Sequence, residues 1–280
     1  SDTSGTASGE AQLEASLDKV REAWAALDFN LRNYRESKHV FILGGLDEVF
    51  MLLEDNQVTL QTMMGSRYIT GVRDEVEEWD KKLSILSETL DEWVACQRNW
   101  MYLETIFCAE DIQKQLPAEA AKFQTVDKMW KDVMKKTSQN PRVIAAVEVP
   151  EGENPAGKLA MFQRCNKLLE EVQKSLEDYL ETKRSAFPRF YFLSNDELLA
   201  ILSQTRDVQA VQPHLSKCFD SMKSLDFGTE EDSIDMFGFI SGEKEAVTFS
   251  TPLAAVGKTH FFFETEDFDG ELELAALSAP

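Results

Sequence analysis

The segment Val256-Gly257-Lys258-Thr259 has the ending of a phosphate-binding loop, in which glycine-rich backbone cradles phosphates and a lysine reaches them. The first glycine of G-x-x-x-x-G-K-[ST] would fall at position 252, where the chain has Pro252. Without that glycine, and with no strand of the right type leading in, the nest of N–H groups is not specified. The acid groups Glu77-Glu78, Glu170-Glu171 and Glu230-Glu231-Asp232 offer general acid–base chemistry or calcium binding. Adjacent acids on a helix point in different directions, and no D-x-[DN]-x-[DN]-G loop supports calcium, so solvated faces are expected.

The four cysteines (Cys96, Cys108, Cys165, Cys218) lie far apart without a C-x-x-C pair, and the three histidines (His39, His214, His260) are equally scattered. Zinc modules and disulfide scaffolds drop out, a reduced intracellular compartment is expected, and the cysteines read as small buried hydrophobes. His214, just after Pro213, reads as a surface or capping residue. Trp79, Trp93, Trp100 and Trp130 stand at helical spacing and read as core. The sequence therefore predicts no catalytic residue, metal site or cofactor of its own. Lys128, Lys131, Lys135 and Lys136 remain, a basic stripe that is either a solvated face or a docking patch. The aromatic run Phe190-Tyr191-Phe192 stands with it.

The 280 residues carry 29 basic and 50 acidic side chains, a net charge of −21 and a pI near 4.6. Phosphate backbones and anionic membrane surfaces would repel such a chain, so neither nucleic acid nor membrane is an expected partner. A charged partner would be basic or met through a local patch. A hydrophobic fraction of 43% with 10% aromatics is enough for a core, in one large domain or two small ones. No apolar run approaches the ~20 residues of a membrane span, and Ser1 to Glu10 shows no secretory pattern.

The elements that must position these residues follow from periodicity. Residues 1–12, rich in Ser, Thr, Gly and Ala, predict a disordered end. Leu17, Val20, Trp24 and Leu27 mark a first helix, Tyr34 and Val40 to Leu43 short extended pieces, and Asp47 the N-cap of a second helix ending near Met64. Val72, Val76, Trp79, Leu83, Leu86, Leu90 and Trp93, prolonged by Trp100, Leu103 and Phe107, form a heptad seam and one long helix. Asp111 starts a short element, and Leu116-Pro117 precedes a helix that Asn140-Pro141 closes. Phe162, Cys165, Leu169, Val172, Leu176 and Tyr179 form a second heptad-like helix that Phe187-Pro188 stops. Phe190 to Leu193 reads as extended, Ser194 and Glu197 as a capping box, and Leu215, Phe219, Met222 and Leu225 as a last helix. Met236 to Ile240 and Ala246 to Phe249 read as a β-hairpin. The expected fold is mainly α: an elongated helical-bundle rod with long heptad-like helices and a small C-terminal β-hairpin. Its parts are a helical subdomain over 13–148, a loop over 149–160, a second helical subdomain over 161–256 and an acidic tail over 257–280.

Several runs carry a resemblance. Glu78-Trp79-Asp80-Lys81-Lys82-Leu83, Leu90-Asp91-Glu92-Trp93 and Gln97-Arg98-Asn99-Trp100-Met101-Tyr102-Leu103-Glu104 come first. Phe187-Pro188-Arg189-Phe190-Tyr191-Phe192-Leu193-Ser194-Asn195-Asp196-Glu197-Leu198-Leu199 and Val211-Gln212-Pro213-His214-Leu215 follow in order. Together, over about positions 20 to 252, the chain resembles the linker region of dynein heavy chains, in wording closer to the axonemal ones. The resemblance implies a noncatalytic lever that docks on a ring of AAA+ ATPase modules and swings with its nucleotide state. ATP and Mg would belong to that ring. The implied partners are the ring, other dynein subunits and, indirectly, microtubules, in cytoplasm, cytoskeleton or axoneme. Phe190, Tyr191, Phe192, Lys128, Lys131 and Lys135 are then the candidate ring contacts. After Pro252 the sequence departs from the family pattern, which puts the completeness of the chain and any role for residues after Gly257 in doubt. A free-standing helical adaptor without motor role is the alternative.

Overall fold

The computed structural model describes residues 2–148, 154–203, 208–228, 235–254, 259–264 and 273–278. The chain divides into two compact units, one of Ser1–Leu103 with Lys122–Glu171 and the other of Glu104–Ala121 with Val172–Pro280. Three long helices each contribute a stretch to both: α3 (Arg73–Phe107), α5 (Pro117–Gln139) and α6 (Gly157–Ala186). Helices dominate and the sheets are small and antiparallel, so the mainly α expectation holds. No helix among the described residues is long and apolar enough to cross a membrane.

The first unit begins with α1 (Asp2–Ala26), whose Leu17, Val20 and Trp24 are buried. The expected disordered end at 1–12 is corrected: the described residues are helical from Asp2. The reason lies in the packing. At Gly9 an added Cβ would meet the ring of Tyr68 at 2.5 Å, so the helix lies flat against that ring where any side chain would hold it off. Strands β1 (Leu31–Asn33) and β2 (Phe41–Leu43) pair antiparallel, and Gln97 of α3 completes the edge: its Oε1 accepts from Leu43 N at 2.7 Å and its Nε2 donates to Leu43 O at 3.0 Å. Helix α2 (Asp47–Met64) starts at an N-cap of Leu46 without a side-chain hydrogen bond. Asp47 is not the cap, as expected from sequence, but sits with Glu48 in the first turn, where acids favour the positive helix end.

The α3 seam is buried from Val76 through Leu83, Leu86, Leu90, Trp93 and Trp100 to Leu103. Within this unit Trp93 stacks on Phe162 of α6 (4.8 Å) and meets Phe29 edge-on (5.3 Å), while Trp100, one heptad later, stacks on Trp130 of α5 (5.2 Å) and tilts against Tyr34 (5.0 Å). A step of seven residues thus presents two indoles to two neighbouring helices. Of the predicted loop 149–160, positions 149–153 lie outside the described residues. Asn154 makes a turn, accepting from Ala156 N through Oδ1 (3.0 Å) and from Gly157 N through its carbonyl (2.9 Å), so α6 begins at Gly157 and 157–160 are helix, not loop.

The second unit contains α4 (Glu110–Gln115), the end of α6, α7 (Asn195–Leu202) and α8 (Leu215–Cys218). Its three-stranded sheet has the order β3 (Met222–Asp226), β4 (Asp235–Ser241), β5 (Ala246–Ala254). The hairpin of the sequence reading is β4–β5. The predicted last helix is corrected: it stops at Cys218, and Met222 and Leu225 belong to β3. A register shift between Met222 and Ser224 sets those two buried residues three apart, which imitates helical spacing in a strand. Gln212 repeats the device of Gln97, pairing its amide with Leu225 N (2.8 Å) and Leu225 O (2.9 Å) on this edge strand. Gly238 of β4 lies so close to β5 that a Cβ would stand 2.2 Å from the carbonyl of Val247. In place of the expected acidic tail at 257–280, β6 (Thr259–Glu264) and β7 (Glu273–Ser278) pair antiparallel from Thr259↔Ser278 to Glu264↔Glu273. Positions 256–258 of the phosphate-loop ending lie outside the described residues.

Candidate docking surface

In the second unit the run Phe190-Tyr191-Phe192 is a 3-10 turn, Pro188–Phe192, rather than the extended piece expected. Pro188 fixes its own φ at the first position and pushes Phe187 out of the helical region, which ends α6 and starts the turn. Phe190 N donates to Phe187 O (3.0 Å), and the i, i+3 geometry sets their rings edge-to-face at 4.8 Å. Arg189 anchors the turn from beneath: its guanidinium donates to Cys218 O (2.8 Å) and lies 4.5 Å from the Phe219 ring centre. Arg184 donates to Leu193 O (3.1 Å) and Asn195 Oδ1 (2.8 Å).

The three aromatic residues therefore divide. Phe190 is half-buried against Phe187, whereas Tyr191 and Phe192 are 54% and 68% exposed. The Tyr191 hydroxyl donates to Glu181 Oε1 (2.5 Å), which holds that ring in place. The capping box predicted at Ser194 and Glu197 starts α7 as drawn, with Glu197 N to Ser194 Oγ at 3.3 Å and Ser194 N to Glu197 Oε2 at 3.0 Å. Lys217 also bonds Glu197, and together these donors hold its carboxyl down at about 2.

The lysines lie in the first unit, on the solvent side of α5. Lys131 pairs with Asp127 (2.6 Å) and Lys136 with Asp132 (2.9 Å), exposed i, i+4 pairs of small energetic weight. Lys128 and Lys135, seven residues apart on one face, are exposed and have no ion-pair partner among the described residues. The stripe is thus half neutralised.

Other groups singled out in the sequence take structural places. Cys96 and Cys165 are buried; the neighbouring Cys165 thiol and burial push the Cys96 thiol up, and the Cys165 thiol itself points to Met129 Sδ at 4.0 Å. Cys108 is exposed, a correction to its reading as buried; its thiol donates to Thr105 O at 3.1 Å. Trp93, Trp100 and Trp130 are core and Trp79 is half-buried. Burial of Tyr179 beside Gln115 pushes its hydroxyl up to about 12. Among the described residues no group of three His, Cys, Asp or Glu side chains could hold a metal ion. Sequence reasoning missed Arg184 and Arg189, which anchor the aromatic turn through Leu193 and Cys218, because each looks like an ordinary polar residue.

The described residues thus combine long helices with buried heptad seams and, in the second unit, an exposed aromatic turn. The family model for "Dynein heavy chain, N-terminal region 2" matches residues 1–263. The match runs past Pro252, where the sequence suggested a departure, to Phe263. Among relatives, the chain is 51% identical over 253 residues to human dynein axonemal heavy chain 6, 41% over 265 to rat dynein axonemal heavy chain 12 and 44% over 243 to human dynein axonemal heavy chain 3. These matches cover 90%, 94% and 87% of this chain and 6%, 8% and 6% of the relatives. The chain belongs to the dynein heavy chain family, and its sequence falls with the axonemal members.

Proposed function

We propose that the chain is the linker, the mechanical lever, of an axonemal dynein heavy chain. The observation that carries this reading is the buried seam of the 35-residue α3, clamped by aromatic stacking to α5 and α6 within the first unit. A lever must carry force without bending along its length, and side-by-side helices with interlocked large residues supply that stiffness. No catalytic group is required of it. ATP and Mg act in the AAA+ ring, and the lever swings because it docks differently on the ring in different nucleotide states. In the second unit, Tyr191 and Phe192, on a turn anchored by Arg184 and Arg189, are an aromatic docking candidate, with Phe190 beneath them as support. In the first unit, Lys128 and Lys135, the unneutralised half of the stripe, are a separate basic docking candidate, and Lys131 contributes only when Asp127 releases it. The result is minus-end-directed microtubule-based movement in a cilium or flagellum, within a complex that holds other dynein subunits.

The test is binding of this purified chain to a dynein ring stripped of its own linker, without nucleotide and with a post-hydrolysis mimic. Affinity that changes between the two states is the expected result. Equal affinity in both, or none from a folded sample, overturns the lever reading.

A further inference from the structure

Within the first unit, the end of α5, the residues that follow it and the start of α6 line a half-open cavity of about 230 Å³, far above the ~10–15 Å³ that one water needs. Phe29 and Trp93 give it an aromatic wall. Three cations line it from three places in the chain: Lys136 near the end of α5, Arg142 after it, and Lys158 at the second position of α6. No carboxylate is among its lining residues. In a chain of net charge −21 this convergence runs against composition.

Two of the cations are partly neutralised outside the cavity. Lys136 pairs with Asp132 (2.9 Å), and Arg142 pairs with Asp28 (3.2 Å) and donates to Ala25 O. Lys158 is different. It donates to the neutral carbonyl of Ala145 (3.1 Å), it has no carboxylate partner among the described residues, and the first turn of α6 contains no acid. Burial and the neighbouring charge of Lys136 push its ammonium below the usual lysine range. Trp93 is fully buried and contributes its ring to the wall.

We propose that this cavity is a binding site for a phosphate oxyanion, free or as the end group of a small phosphomonoester. A tetrahedral dianion presents oxygens to cations arriving from several directions and balances more of their charge than a planar carboxylate does. The aromatic wall and the space beyond one phosphate suit a small organic part. Nucleobase stacking on Trp93 is disfavoured, because its ring is fully buried, with Phe162 stacked on it and Phe29 against it edge-on.

The experiment is calorimetric titration of the full chain with inorganic phosphate and, separately, with glycerol phosphate at fixed ionic strength. One saturable site is expected. Lys158→Gln weakens it about tenfold, the worth of one charge-assisted hydrogen bond, whereas Lys158→Arg keeps it. Tighter binding of glycerol phosphate assigns a phosphomonoester, and equal affinity assigns free phosphate. If Lys158→Gln loses its helical circular dichroism, Lys136→Gln, at an exposed position, decides in its place. Absence of saturable binding below about 10 mM, or an affinity unchanged in both glutamine variants, overturns the proposal.

Discussion

Replacing Trp100 with phenylalanine separates the work of the indole ring from that of its N–H. The residue is buried, stacks on Trp130 at 5.2 Å with 20° between planes, tilts against Tyr34 at 5.0 Å, and donates through Nε1 to Asp127 Oδ1 at 3.1 Å. Phenylalanine keeps a ring against both neighbours, so most of the ~0.5–1.5 kcal/mol of each aromatic pair survives. The hydrogen bond to a carboxylate, ~1.5–3 kcal/mol, is lost. Its lower end applies, because the Asp127 side chain is 22% exposed and its other oxygen pairs with Lys131 at 2.6 Å. The smaller ring leaves a void costing about 1 kcal/mol more. Trp100→Phe is therefore expected to destabilise by about 2.5 kcal/mol. Trp100→Ala, which removes both stacks as well, should cost about 5 kcal/mol, comparable to the whole stability of a modest domain.

All five tryptophans (Trp24, Trp79, Trp93, Trp100, Trp130) fall in the first unit, so intrinsic fluorescence during urea unfolding reads that unit alone. Asp127→Ala completes a double-mutant cycle, with an expected coupling of about 1–1.5 kcal/mol. A Trp100→Phe loss under about 0.5 kcal/mol, or an equal loss in the Asp127→Ala background, refutes the assignment of stability to this hydrogen bond.

Ser194→Ala removes half of the capping box and should lower the protection of α7 amides by about 1 kcal/mol, measured by hydrogen exchange. The Glu197 carboxyl titrates at about 2 in the folded chain and near 4.5 in its absence of partners, so its stabilisation is complete above pH 4.5 and is lost as the pH falls toward 2. Exchange of α7 amides across that window reads the loss, which Lys217→Met should diminish. Phe192→Ser, at a 68% exposed position, should change the unfolding free energy by no more than about 0.5 kcal/mol. The same variant should weaken docking on a linker-free ring, and a large loss of stability would show that the ring of Phe192 is structural.

The long helices were legible in the sequence because a sustained seam such as Val76 to Leu103 admits one period, and burial obeys it at every seam position but the half-buried Trp79. The capping box at Ser194 was legible for a similar reason, since both halves lie within four residues. Elements fixed by distant partners were not. The small-residue composition of the N-terminal segment predicts disorder only if no surface waits for it, yet Gly9 is the residue that lets α1 lie on Tyr68. The aromatic turn at 188–192 looks like a strand by its residue types. The missing information was the contact of Phe187 with Phe190 and the clamp of Arg189 on Cys218.

The β3 strand shows most clearly what hides a strand from a reading by period. Its bulge between Met222 and Ser224 turns an alternation of two into a spacing of three, and the residues before it, Leu215 and Cys218, are truly helical. The helical pattern thus continues unbroken across a change of structure. Gln212 then satisfies both backbone groups of Leu225, as Gln97 does for Leu43, so a short edge strand persists without another strand on its outer side. A polar side chain in this role is invisible to hydrophobic periodicity, because its contribution is to the accounting of backbone hydrogen bonds. The same blindness extends to the candidate surface. Arg184 and Arg189 reach Leu193 and Cys218 from nine and 29 positions away, and this is what leaves Tyr191 and Phe192 facing solvent with a fixed backbone beneath them. The exposed aromatic turn is thus set by polar side chains that span the sequence, which a reading of apolar period does not register.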